Sequence, residues 1–483
     1  MRILLVAAND VCFGFDMLFR VPNLGLCSIA ANVDRNQNEV KIVDLVAAGK
    51  YPEKVFLKIL KDYNPDLIGF TSMLFQLAGV YKFLRIAKMF NKSIITVLGG
   101  YSATVDGYNI ALNDTEHLID FIVKGEGELA FDSLIKAIKN DKDFSNVSGL
   151  IYKQDSNIIQ NPQNCLADLE KLNLPDRNVR IIKKGFYIFN KPADAVETSR
   201  GCVYDCNFCS INNMYGKSYR KYKFERVISD IKDAQAKGAK SIFFTDDNIT
   251  LDGKRFKALC ETIKNEKLNN INYLMQGSIK GIKDTPSLPE AMREAGISYI
   301  FLGIESAHQA NLEFMNKDNQ LTASDTEDVV RYLRENNIKS IGGFILGQPD
   351  DTEESIRYNF EFAKRIGIDL PVFNVITPYP NTKLREELLK ENLITNLNDY
   401  SRYDCWEVNI RTRHLTSKQI HDIRDDIEGR YPAESGMLIR HIRSHPYLMF
   451  RVLFRWLYRK PYDILRFMGK KRRNSDFKGI PES

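Results

Sequence analysis

No stretch of about 18 uncharged apolar residues occurs in this chain of 483, so no membrane-spanning helix is predicted. The apolar start, Met1 to Ala8, breaks at Asn9-Asp10. That is too short for the core of a secretory leader and reads better as a first β-strand. Internal repeats and low-complexity segments are also missing, which argues against a solenoid or a linker-dominated chain. Histidine is scarce, with only His117, His308, His414, His421, His441 and His445. The rest is ordinary: 44% hydrophobic and 27% charged residues, and enough length for two or three domains with their own cores. These features fit a cytoplasmic protein.

Cysteine and charge are unevenly placed. Cys12, Cys27, Cys165, Cys260 and Cys405 stand singly, as small buried thiols do in a reducing compartment. Cys202, Cys206 and Cys209 fall within eight residues, a spacing foreign to a disulfide framework and natural for a metal or cluster site. The net charge of +6 conceals a net of +10 between Arg430 and Lys478, which leaves the remainder near −4. The chain is mildly acidic with a basic tail.

Residues 1–140 alternate strand-like runs (Arg2–Ala7, Glu39–Asp44, Leu67–Thr71, Ser93–Leu98, Phe121–Lys124) with helical stretches such as Tyr51–Tyr63 and Ala78–Phe90. Such alternation predicts a doubly wound, Rossmann-like domain, whose ligands bind outside the carboxyl ends of the strands. Thr71-Ser72, Gly99-Gly100 and Gly125-Glu126 lie at such ends, although Gly-Gly alone is equally a tight turn. Residues 141–190 read as an irregular linker with one hairpin. From residue 191 to 385 six further strands are predicted: Ala195–Thr198, Ser241–Thr245, Asn272–Gln276, Tyr299–Ile304, Ser340–Leu346 and Val372–Thr377. Helices intervene, so this half reads as a partial (β/α)6 TIM-like barrel. Residues 386–483 form a mixed C-terminal region that carries the basic tail.

The cysteine trio reads C-x3-C-x2-C directly after a barrel-like strand. Three thiolates are too few to close a tetrahedral zinc site, and they suit a [4Fe-4S] cluster with one iron left open for a chelating ligand. A zinc knuckle completed by a histidine is the alternative, with no histidine near in sequence. Asp246-Asp247 caps a predicted strand, a place where acidic pairs usually cap helices or sit in solvated turns. Gln276 and Ser278, and then Glu305 and Ser306, end the next two strands, on the face where barrel active sites are built.

This segment resembles the radical S-adenosylmethionine (SAM) superfamily over about residues 193–385. The resemblance implies that Cys202, Cys206 and Cys209 hold a [4Fe-4S] cluster, and that Asp246 and Asp247 meet the SAM amino group. It places Gln276 and Ser278 near the SAM carboxylate and ribose, and Glu305 and Ser306 at the ribose. It further implies an enzyme that reductively cleaves SAM and takes hydrogen from an unactivated carbon, fed by a flavodoxin- or ferredoxin-type electron donor. No catalytic side chain beyond cluster and SAM is implied.

The domain before it resembles the cobalamin (B12)-binding branch of that superfamily, with Thr71, Ser72, Gly99, Gly100, Gly125 and Glu126 as cobalamin contacts. Two departures stand out: the D-x-H-x-x-G motif of other cobalamin domains has only an echo at Asp10-Val11-Cys12-Phe13-Gly14, and Tyr101-Ser102 follows Gly-Gly where relatives often carry a histidine. The branch implies C-methylation as the leading reaction, with radical cyclisation or carbon–carbon bond formation on a lipid as the alternative. A non-catalytic iron–sulfur sensor that binds SAM is the non-enzymatic rival. In the tail, Arg451, Arg455 and Arg459 share one helical face beside Leu448, Val452, Leu453 and Trp456. That pattern fits a helix lying on the inner face of an anionic membrane, and with it a lipid-like substrate. Docking onto the barrel and a solvated terminus are the plainer readings; with no recognisable module, no nucleic-acid partner is expected.

Overall fold

The computed structural model describes residues 1–9, 18–140, 142–155, 157–163, 166–317 and 322–435. Its strands, in chain order, are β1 (Arg2–Ala7), β2 (Phe19–Arg20), β3 (Glu39–Asp44), β4 (Leu67–Thr71), β5 (Ile95–Gly99), β6 (Phe121–Val123), β7 (Leu150–Gln154) and β8 (Asn157–Gln160). They continue with β9 (Tyr187–Ile188), β10 (Lys191–Val196), β11 (Ser199–Arg200), β12 (Arg220–Lys221), β13 (Ser241–Phe244), β14 (Asn272–Gly277), β15 (Ile297–Glu305), β16 (Lys339–Leu346) and β17 (Leu370–Val375).

The first sheet has the order β3-β1-β4-β5-β6-β7-β8, parallel through β6. Its strands are buried on both faces. Leu4 and Val6 of β1 pack with Phe56, Phe70 and Phe83 on one side, while Ile3 and Leu5 pack with Phe131 and Leu134 on the other. The chain reverses its direction of travel between β1 and β4, and ligands of doubly wound sheets bind outside the carboxyl ends at such a switch point. The loop after β1, with its echo of the D-x-H-x-x-G motif, lies outside the described residues; the turn after β4 carries Thr71 and Ser72.

The segment expected as a linker is partly built into this sheet. Its hairpin, β7 and β8, pairs antiparallel onto β6. Farther on, Ile42 N–H donates to Val179 O at 2.9 Å and Ile181 N–H to Ile42 O at 2.8 Å, so residues 179–181 run along the β3 edge. Open edges expose unpaired amides and carbonyls; the segment extends the sheet beyond β6, leaving β8 as its edge, and covers part of β3.

The second sheet has the order β17-β16-β15-β14-β13-β10-β9-β2. Its six parallel strands are the predicted ones, with ends shifted by one to four residues. Two antiparallel strands were not expected: β9, and β2, through which the N-terminal half reaches into the barrel sheet. Helices Phe224–Ala236, Gly253–Asn265, Ala323–Glu335 and Glu353–Ile366 cover its outer face. Arg177 and Arg180 of the linking segment are buried against the second half, and Arg180 also reaches Cys27 Sγ of the first at 3.1 Å. Arg177 donates to Ala195 O at 2.7 Å and faces Asp194, Asp230 and Asp233, while Arg180 grips Asp194 at 2.6 and 3.0 Å.

Among the described residues no helix is long and apolar enough to cross a membrane. The chain forms one body from Met1 to Glu428 and a second unit from Gly429, of which only the residues up to Ser435 are described. The basic helix expected in the tail lies outside the described residues.

Candidate active site

All the expected barrel residues gather at the carboxyl ends of the parallel strands. The cysteine loop leaves β10 through β11, which pairs with β12. Gly201 starts the loop at φ +87°, where a Cβ would stand 2.3 Å from the carbonyl oxygen of Ser218, so only glycine fits. Cys202 then bridges to Lys217, and Cys209 N–H donates to Cys206 O at 3.1 Å. Asn207 anchors the loop's far side: its N–H donates to Met315 O at 3.2 Å, its amide to Phe314 O at 2.7 Å, and it accepts from Leu384 N–H at 3.1 Å. Asp205 is held from solvent by Lys217 and Lys383, both at 2.8 Å.

The three thiols are half-buried and feel one another's charge. Burial pushes Cys209 up to about 12 and raises Cys202, so free thiolates are disfavoured here, and binding to a metal is what compensates such a site. Among the described residues no three His, Cys, Asp or Glu converge on one metal ion. Thiolates that each bond a different iron of a cluster need not converge on one point.

Sequence reasoning missed Lys317. It is 8% exposed, donates to Glu305 Oε1 at 2.6 Å and to Gly303 O at 3.2 Å, and lies within electrostatic reach of all three thiols. Burial works against its ammonium, but Glu305 and the thiols at 206 and 209 outweigh it and raise its pKa. Its carboxylate partner is conformationally marked: Glu305 has φ +62°, beside a register shift in the β15–β16 pairing, the kind of outlier that clusters at functional sites.

Several expected ligand contacts are turned to other work. Asp246, 1% exposed, accepts from Thr198 N–H at 3.0 Å, Thr198 Oγ1 at 2.6 Å and Ser199 Oγ at 2.5 Å. Asp247 accepts from Gly201 N–H at 2.8 Å. Burial pushes both carboxyls up to about 6. The pair thus clamps the root of the cysteine loop; Asp246 has no exposed edge for a SAM amine. Ser306, also 1% exposed, is taken up by His308 N–H and Asn311 in the segment that follows it and by Asn359 of helix Glu353–Ile366. Ser278 caps helix Ile279–Lys283 and meets Thr250 Oγ1 at 3.3 Å. Gln276 is half-buried, and among the described residues its side-chain amide has no hydrogen-bond partner.

The first sheet's strand ends face this loop. Gly100, at φ +83°, lies so close to Thr71 that a Cβ would stand 2.4 Å from its hydroxyl, and the Ser72 and Ser102 hydroxyls hydrogen-bond beneath it. Thr71, Gly99 and Gly100 remain half-exposed and form a glycine-floored cradle that a flat, bulky group could approach. Glu126 does not face that cradle. It takes Arg200 at 2.7 Å, Arg220 at 2.8 Å and Ala167 N–H at 2.7 Å, because burying its carboxylate demands such partners. Thr104 hydroxyl meets Met214 Sδ at 3.6 Å, just past the cysteines. Tyr101, read from sequence only as the occupant of the position after Gly-Gly, stands edge-on to Tyr379 at 6.0 Å and is coupled electrostatically to Cys209. Its buried hydroxyl has no partner among the described residues, as expected of a group that meets a ligand between the two halves.

Comparison with known proteins agrees with this geometry. The radical SAM superfamily model matches residues 196–363, and the B12 binding domain model matches residues 14–135. The chain is 30% identical over 443 residues to an uncharacterised methyltransferase of Pyrococcus horikoshii, covering 91% of this chain and 94% of that one. It is 27% identical over 396 residues to the anaerobic magnesium-protoporphyrin IX monomethyl ester cyclase of Rubrivivax gelatinosus, covering 80% and 70%. It is also 25% identical over 405 residues to the hopanoid C-3 methylase of Methylococcus capsulatus, covering 82% and 74%. Its fold is shared with the cobalamin-dependent SAM radical enzyme OxsB, solved with aqua-cobalamin and SAM bound. The TM-score is 0.73 at 17% identity, over 97% of this chain and 75% of that one.

Proposed function

Because the chain belongs to the radical SAM superfamily, in the branch with an N-terminal B12-binding domain, and is thereby an enzyme of [4Fe-4S] cluster, SAM and cobalamin, we propose that it methylates an unactivated carbon of a hydrophobic, lipid-like substrate. The observation that carries this reading is the abutment of the two cofactor edges: Glu126 of the first sheet on Arg200, and Thr104 on Met214. A substrate that must meet both cofactors needs them side by side. The names of the hopanoid methylase and the protoporphyrin ester cyclase support a large apolar substrate.

When bound, the cluster with SAM supplies hydrogen abstraction from carbon, and cobalamin supplies methyl carriage. The chain's own groups hold and shield. Cys202, Cys206 and Cys209 would hold the cluster, and Lys317 would offset the negative charge gathered there. Gln276, Ser278, Glu305 and Asp247 border the SAM site; Thr71, Ser72, Gly99, Gly100 and Gly125 border the cobalamin. A flavodoxin- or ferredoxin-type protein delivers the electron. The basic tail fits peripheral contact with an anionic membrane, and flotation with anionic vesicles, full chain against one ending near Glu434, tests that part. Equal recovery of both in the soluble fraction removes it.

Ring closure or carbon–carbon bond formation is the second reading, favoured by the similarity to the cyclase. One experiment separates the two. Full-length protein, reconstituted without oxygen and given flavodoxin, SAM, hydroxocobalamin and a lipid extract, should release 5′-deoxyadenosine and S-adenosylhomocysteine in equal amounts. 5′-Deoxyadenosine without S-adenosylhomocysteine moves the reaction to cyclisation. Neither product means that the protein binds SAM without turnover.

A further inference from the structure

Arg200 stands two residues before Cys202, and its guanidinium is shared between the two halves of the protein. Nη1 donates to Glu126 Oε1 at 2.7 Å, Nη2 to Glu128 Oε1 at 2.7 Å, and Nε to Glu197 Oε2 at 2.9 Å. All four side chains are largely buried, the arginine at 7% and the two first-sheet glutamates at 7% and 5%. A planar fork with fixed, spread donor directions can meet three separated carboxylates at once, which the compact ammonium of a lysine cannot do at this spacing. Both first-sheet partners are braced in turn. Glu126 also holds Arg220 and the Ala167 amide, and Glu128 accepts from Ser28 Oγ at 2.8 Å.

The contacts continue without a break on either side. Toward the first sheet, Gly125 N–H donates to Thr104 Oγ1 at 3.0 Å, and Thr104 Oγ1 donates to Gly100 O at 3.0 Å, in the floor of the cradle. Toward the cluster, Arg200 leads to Gly201, whose amide is fixed by Asp247, and then to Cys202. The Gly125–Glu128 turn is therefore tied at one end to the cradle and at the other to the root of the cysteine loop.

We propose that Arg200 is a positioning residue through which the Gly125–Glu128 turn sets the cysteine loop, so that cobalamin in the first domain changes the affinity of the cluster for SAM. The inference rests on the proposed function and adds a thermodynamic coupling between its two cofactor sites. Such coupling is reciprocal: cobalamin must tighten SAM by the factor by which SAM tightens cobalamin.

The test uses the full chain with a reconstituted cluster, hydroxocobalamin and SAM as probes. SAM affinity is read by equilibrium dialysis on the enzyme with its cluster oxidised, with and without hydroxocobalamin. In the wild type, hydroxocobalamin should tighten SAM at least fivefold, as measured couplings typically do. Arg200→Lys keeps the charge but cannot span both glutamates, and Glu126→Gln with Glu128→Gln removes the charge from the far domain without touching the cysteine loop. Both should assemble a cluster of normal iron content and lose that tightening. A purely structural ion pair would instead lower the melting temperature and leave the dependence on hydroxocobalamin intact, which overturns the inference. So does a wild type whose SAM affinity is indifferent to hydroxocobalamin. A wild type that assembles no cluster, or takes up no hydroxocobalamin, refutes the proposed function itself and this inference with it.

Discussion

Gly201→Ala is the sharpest perturbation of the cysteine loop that leaves every ligand in place. Two costs add. At φ +87° an L-residue is strained by about 1–2 kcal/mol. The new methyl also falls 2.3 Å from Ser218 O and 3.1 Å from Ser218 Oγ, and the first of these is backbone that cannot rotate away. Overpacking of that kind costs about 1–3 kcal/mol, so the variant should lose roughly 2–5 kcal/mol in all. Relief requires Gly201 and Ser218 to part, which moves Cys202 because it bridges to Lys217 in the same pairing. Gly216→Ala is the matched control. It too has positive φ, at +61° with ψ −172°, a region open essentially to glycine alone, so backbone strain of about 1–3 kcal/mol applies; but nothing lies within 4 Å of its would-be Cβ, and no overpacking is added. Urea denaturation gives the stabilities, and iron per chain after anaerobic reconstitution gives the cluster. Gly201→Ala should have a depleted cluster and Gly216→Ala a full one. Equal stability and equal iron in the two would refute this.

Lys317→Met combined with Glu305→Gln removes a buried charge pair without orphaning either charge. That pair is net neutral, so the cation's effect is read from Lys317→Met alone. A nearby cation favours the reduced cluster, so its midpoint potential should fall in a potentiometric EPR titration while the double variant stays nearer the wild type. An unchanged potential in Lys317→Met would remove Lys317 from the account. Lys317→Met alone leaves Glu305 buried and unpaired, and should cost about 3–5 kcal/mol in denaturant unfolding. Burial pushes Asp44 up to about 6 from its ordinary 3.8, against the N–H groups of Asn23 and Val46. The folded chain therefore holds this proton more tightly than the unfolded one, and Asp44 subtracts stability as pH rises from about 4 to about 6. Asp44→Asn should be less sensitive to pH across that window than the wild type, and parallel urea midpoints at pH 4.5 and 7 would contradict this. Arg177→Met strands Asp230, whereas Asp194 keeps Arg180, and should cost about 3–5 kcal/mol, with a loss below 1 kcal/mol showing that the network is relaxed by water.

The parallel strands were legible because each is an apolar run bounded by polar turns: β1, β3 and β4 begin and end where the sequence placed them. The two-residue strands β2, β9, β11 and β12 are not, since a pair of residues carries no periodicity and is held only by its neighbour. The hairpin in the expected linker was legible, but its docking on β6 was not, because edge pairing is decided by backbone groups rather than by side-chain pattern. The cysteine trio declared itself because its chemistry requires residue type and spacing together. Asp246 and Glu126 were placed at strand ends, but their bonds to Thr198 and Ser199 and to Arg200 and Arg220 were not legible: position in a loop does not say which way a carboxylate turns. Lys317 had no local signal at all. It lies 108 residues beyond Cys209, and only burial against Glu305 distinguishes it from the many surface lysines.

The most direct test of the account is low-temperature EPR of the anaerobically reconstituted, reduced full chain, with and without SAM. The account predicts a reduced [4Fe-4S] signal that SAM perturbs, lost altogether when Cys202, Cys206 and Cys209 are replaced by alanine. A cluster signal that survives the triple replacement, or one that SAM leaves untouched in the wild type, would contradict it.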